Sequence, residues 1–154
     1  MVSVLLSLSI WYEMEFLLYL SPQGQQLLRD LSAARINVRE NIALCRNPHA
    51  FGAFMMPKNI VICTKNIKMS GYNIKHHVNE TLFHEAVHAA QYCSGRSTIG
   101  ISKNKMSLPW NKLKDVQDSV NITGNNDAGN SEHEAYYLED KPSQVIKYVR
   151  KFCF

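Results

Sequence analysis

The stretch from His76 to Cys93 limits the possible folds of this chain more than any other. Its apolar residues recur at helical spacing, and Ser94-Gly95 follows with the residue type that most readily closes a helix. The pattern predicts one long helix. At ~100° per residue, His77, Thr81, Glu85, His88 and Tyr92 fall within about 100° of His84. Leu82, Phe83, Ala86, Val87, Ala89, Ala90 and Cys93 occupy the opposite arc. One side of the helix must therefore be buried while the other faces a cleft. On that open side His84-Glu85-Ala86-Val87-His88 reads H-E-x-x-H. Imidazoles four residues apart share a helix face and can reach one ion. Glu85 is rotated off that line, to where it can hold a water bound to the ion.

The rest of the chain reads as a single domain of α+β class. Its 154 residues are 45% apolar and 19% charged, which excludes a disordered or fibrous chain. Glu13 to Ala34 reads as a short helix, a break at Ser21-Pro22, and a helix from Pro22. Near-alternation over 36–44, the run 50–56 and the β-branched run Ile60-Val61-Ile62-Cys63 predict strands. Residues 68–73 read as a loop, residues 96–130 are polar and poor in periodicity, and their asparagine- and glycine-rich part 121–130 reads as a mobile loop. Ser131 to Phe152 reads as helix, broken at Pro142. The expected architecture is a small antiparallel or mixed sheet packed on the H-E-x-x-H helix, with a second ligand-bearing helix and a C-terminal helix.

Charge and cysteine content narrow the partners. The formal charge is +4, and the densest basic group, Lys103, Lys105, Lys112 and Lys114, reads as a solvated surface, so no nucleic-acid partner is expected. Val4 to Leu20 is apolar but interrupted by Glu13 and Glu15, so no membrane span is expected. No basic residue precedes Arg29, which argues against a signal peptide without excluding a cleaved one. Residues 1–13 then form an apolar leader or extra segment of a cytoplasmic protein. In that compartment Cys45, Cys63, Cys93 and Cys153 are expected as buried thiols. Cys45 and Cys63 nevertheless flank an apparent hairpin and could face each other, and Cys93 and Cys153 each end a helix and could meet. The sequons at Asn79 and Asn121 read as chance.

A catalytic zinc takes three protein ligands and leaves one position open. The candidates downstream of His88 are Glu132, His133 and Glu134, in Ser131-Glu132-His133-Glu134-Ala135-Tyr136. The two glutamates point to roughly opposite faces of a helix, so only one can serve.

These motifs together resemble the gluzincin group of zinc metallopeptidases, in their minimal bacterial and phage form. That group carries H-E-x-x-H on one helix and a glutamate ligand on a second, often as E-x-x-A. Glu132-His133-Glu134-Ala135 fits this, which favours Glu132 over Glu134. Thermolysin-like relatives place an acidic residue four after the ligand to orient a histidine. Tyr136 stands there in this chain, which leaves the partners of His84 and His88 unassigned.

The resemblance implies that His84, His88 and Glu132 hold Zn²⁺ and that Glu85 is the general base in hydrolysis of a peptide or protein substrate. It leaves the oxyanion donor open among Tyr72, His76, His77, Tyr136 and Tyr137. It also implies an edge strand, 50–56 or 60–63, that binds extended substrate. The alternative is a zinc-binding regulatory or interaction domain of the same fold with little or no turnover.

Overall fold

Helix α3 (Ile74–Ser94) is the axis on which the other elements assemble. A computed structural model describes residues 14–154; the expected leader at 1–13 lies outside the described residues. In chain order the remaining elements are α1 (Pro22–Ala33), β1 (Asn37–Glu40), β2 (Gly52–Met55), β3 (Asn59–Ile62), α2 (Thr64–Met69), α4 (Trp110–Thr123), α5 (Asn126–Leu138) and α6 (Pro142–Cys153). The fold is α+β, as expected.

The ends of α3 follow from its sequence. Asn73 caps the start by accepting from the His76 N–H at 2.9 Å. Gly95 ends the helix in the left-handed region at φ 72°, where glycine carries no steric penalty. The buried arc, including Val78, Leu82, Phe83, Ala86 and Ala90, joins Leu27 and Leu31 of α1, Ile60 and Ile62 of β3, and Val145 and Val149 of α6 in one core.

Of the two sheet types expected, the mixed one is present. The strand order is β1-β3-β2, with β3 parallel to β1 and antiparallel to β2. Ile60, Val61 and Ile62 are fully buried, as a continuous apolar run covered on both faces should be. The first strand is shorter than its alternating pattern suggests. It stops at Glu40 because Asn41 turns into the left-handed region at φ 51° and a 3-10 turn spans Ala43–Arg46. Glu40 is also held elsewhere: its carboxylate accepts from the N–H groups of Glu15 and Phe16 at 2.8 and 2.7 Å.

Three other expectations are corrected. Residues 68–73 are not all loop, because α2 runs to Met69. That helix is fixed by tertiary bonds: Asn66 Nδ2 donates to the carbonyls of Cys45, Asn47 and Ala50 at 2.8–3.0 Å. Residues 96–130 contain α4, and the expected mobile loop at 121–130 is a helix junction. Only Gly124, left-handed at φ 63°, and the N-cap Asn125 separate α4 from α5. The asparagine and glycine content that suggests a loop is capping chemistry. Close packing follows, since a Cβ on Gly129 would come 2.5 Å from Val120 Cγ2.

The cysteines are not thiols. Cys45–Cys63 and Cys93–Cys153 are disulfides, with Cα–Cα separations of 5.4 and 5.2 Å. The juxtapositions suggested by the flanking elements are present, and burial as separate thiols is not. Bridges across sequence separations of 18 and 60 stabilise by about 3 and about 4 kcal/mol through the unfolded chain. Among the described residues, no helix is long and apolar enough to cross a membrane.

Candidate metal centre

Two helices supply the centre. α3 presents His84 and His88 one turn apart, and α5 carries Glu132 opposite them. The Glu132 carboxylate lies 3.1 Å from His84 Nε2 and 3.0 Å from His88 Nε2. The two Nε2 atoms are 3.3 Å apart. Donors 2.0–2.1 Å from one tetrahedral ion stand about 3.3 Å from each other, so the spacing fits a zinc-sized cation. Two imidazoles and a carboxylate also match the donor set zinc prefers.

Glu134 and His133, the other candidates for a third ligand, face elsewhere. Glu134 is fully buried and accepts from the Ile99 N–H at 2.6 Å and from Gln91 Nε2 at 3.0 Å. It clamps the segment after α3. His133 Nε2 lies 2.7 Å from the Met106 carbonyl.

Each imidazole is oriented from behind. His84 Nδ1 lies 2.8 Å from Glu139 Oε2, and the other oxygen of Glu139 pairs with Lys112 Nζ at 2.7 Å. His88 Nδ1 lies 2.8 Å from Gln91 Oε1. Gln91 is oriented in turn by donating to the Ser131 carbonyl and to Glu134, both at 3.0 Å. Acceptors at both Nδ1 atoms hold a proton on that nitrogen, so that an ion between the helices would meet the Nε2 atoms. Sequence reasoning missed Glu139 and Gln91. A signal for Glu139 existed: it follows Glu132 by two helical turns and so returns to the same face. Tyr136 fills the intervening slot, its ring 4.6 Å from that of His84.

The electrostatics suit a cation. Burial disfavours charge on His84, but Glu132 and Glu139 outweigh it and raise its pKa to about 10. At His88 burial is likewise overcome by Glu132, and the pKa rises. Burial also acts against charge on Glu132, yet the two imidazoles hold its carboxyl well below the usual range. Burial pushes Glu85 up, against the attraction of His84 and His88 and a bond from the Phe54 N–H.

Two cavities flank the centre. One of about 420 Å³ is lined by Phe51, Gly52, His84, Glu85, Glu132 and Tyr136. The other, about 740 Å³, is lined by Phe54, Met56, Glu85, Tyr92, Arg96 and Glu132. β2 runs along both and lies at the sheet edge, whereas 60–63 is the central strand and cannot be that edge. Gly52 lets β2 lie tight on α3, since a Cβ there would come 2.4 Å from Thr81 Cγ2 and 2.7 Å from the Val61 carbonyl. Of the candidate oxyanion donors, Tyr136 and His77 line the smaller cavity. Tyr72 is largely exposed, and Tyr137 lies under Lys141.

No curated protein and no solved structure matches the chain. The family described as Domain of unknown function (DUF8637) matches residues 16–154, so the chain belongs to that family.

Proposed function

We propose that the chain is a zinc-dependent peptide hydrolase in which His84, His88 and Glu132 hold Zn²⁺ and Glu85 is the general base. The observation that carries this is the convergence of three donor atoms, each about one tetrahedral edge from the others, beside a buried carboxylate at the meeting point of two cavities. When bound, zinc supplies a Lewis acid for a carbonyl and lowers the pKa of a water.

The remaining steps belong to side chains. Glu139 and Gln91 fix the imidazole rings, so no reorientation is needed as charge changes. Glu85 takes a proton from the attacking water and delivers it to the leaving amine. We assign to Tyr136, which lines the smaller cavity and whose phenol burial keeps protonated, the donation to the developing oxyanion. Edge strand β2 offers main-chain groups to an extended peptide, and Phe54, Met56 and Tyr92 offer apolar contact beyond it. The two disulfides favour an oxidising compartment and weigh against a cytoplasmic location.

The test uses the full chain, purified without chelators, and an unfolded protein as substrate. About one equivalent of zinc and measurable cleavage are expected. Glu85→Gln should keep the zinc and lose about 10²–10⁴-fold in turnover. A folded chain without zinc affinity, or unchanged turnover in Glu85→Gln, overturns the reading. Zinc without turnover in the unaltered chain favours an interaction domain instead.

A further inference from the structure

Two turns before His84, α3 carries a second group of the same composition. His76 Nε2 lies 3.2 Å from Glu80 Oε2, and His77 Nδ1 lies 3.4 Å from Glu80 Oε1. All three donor atoms fall within 4.8 Å of one another. Offsets of three and four residues put Glu80 on the face of both histidines, the same device that pairs His84 with His88. His77 is steadied by Tyr72, with ring centroids 5.1 Å apart, and edge-on by Phe51 at 6.0 Å. His77 and Glu80 line the same cavity as His84 and Glu132, and His49 joins them there.

We propose that His76, His77 and Glu80 form a second, weaker site for a transition-metal dication at the mouth of the smaller cavity. The donor set defines the class of ion. Imidazole nitrogen suits zinc, copper and nickel, whereas magnesium and calcium take oxygen ligands. Weakness follows from exposure: the side chains of His76, His77 and Glu80 are 59%, 25% and 25% exposed. Binding must freeze rotamers that are fixed in advance at the deeper centre. All three ligands also come from one helix, α3, whereas the deeper group draws its ligands from two. An ion here stands on the wall along which a peptide would lie, and excess metal then blocks the cleft. Only that last consequence rests on the hydrolase reading; the site itself does not.

The experiment titrates Zn²⁺ into the zinc-stripped full chain and follows the heat of binding. The unaltered chain should show a tight step and a weaker one, each of about one equivalent. The double variant His76→Ala, His77→Ala should lose the weak step and keep the tight one, whose retention also reports a correct fold. Glu80→Gln, close to isosteric, should weaken the same step and decides the matter where the double variant misfolds. In His84→Ala, His88→Ala the weak step should remain. A single step in the unaltered chain overturns the proposal. So does a weak step that survives in both cleft-mouth variants, or one that vanishes with His84 and His88.

Discussion

The two histidine–glutamate groups both draw their imidazoles from α3, His84 and His88 in one and His76 and His77 in the other, and differ in what stands behind them. At the deeper group a carboxylate from α5 meets both imidazoles, and each ring is held at its far nitrogen by Glu139 or Gln91. At the shallower group Glu80, from the same helix, meets both ring nitrogens, His77 is held by ring contacts with Tyr72 and Phe51, and His76 is more than half exposed. The contrast teaches that ligand spacing is cheap for a helix to provide. Orientation requires a second element and a layer of supporting bonds.

The sharpest way to break this contrast is to remove a deep ligand. His84→Ala or Glu132→Ala should abolish tight zinc retention, measured by elemental analysis after dialysis. His76→Ala should leave it intact. Loss of tight zinc in the latter would erase the distinction between the groups. A smaller effect is expected from Glu139→Gln, which keeps the shape but not the charge behind His84. Zinc affinity should fall about 10–100-fold by competition with a metal indicator. An unchanged affinity would mean that His84 needs no support.

Glu134→Ala should separate fold from metal. It strips the acceptor from the Ile99 N–H and from Gln91 Nε2, costing about 1–3 kcal/mol in denaturant unfolding. Zinc loss should be less than in Glu132→Ala; the reverse order would move the third ligand to Glu134. The gentlest effect is with pH, in the zinc-stripped chain. His84 is raised from 6.5 to about 10, so its contribution is full below pH 6.5 and fades as pH climbs through about 10. Glu132 is depressed from 4.5, so its contribution is present above pH 4.5 and fades on acidification below it. Melting temperature against pH should therefore fall on both sides of a plateau. Zinc should remove the alkaline fall, because the ion replaces the proton on His84.

The parts of the molecule legible in its sequence are those whose signal is local. α3 announces itself by periodicity and by Gly95, His84 and His88 by their spacing along it, and Glu132 by the E-x-x-A resemblance. β3 is legible as an unbroken apolar run. Other features depend on contacts distant in the chain. The six residues of α2 carry too short a pattern, and the helix is held by three backbone carbonyls that Asn66 reaches. α4 has only a narrow apolar stripe because it packs chiefly on α5. The order of strands follows from which run is covered on both faces, something a list of strands does not state. For the cysteines the flanking elements mark the partners, but whether two neighbouring thiols are oxidised depends on the compartment, which no local pattern states.

The bridge from Cys93 to Cys153 crosses the segment 96–109, which joins the part of the chain bearing His84 and His88 to the part bearing Glu132 and Glu139. A cut in that segment would leave a nicked, two-chain molecule that still runs as one species until a reductant is added. This staple keeps both halves of the centre in register after such an injury.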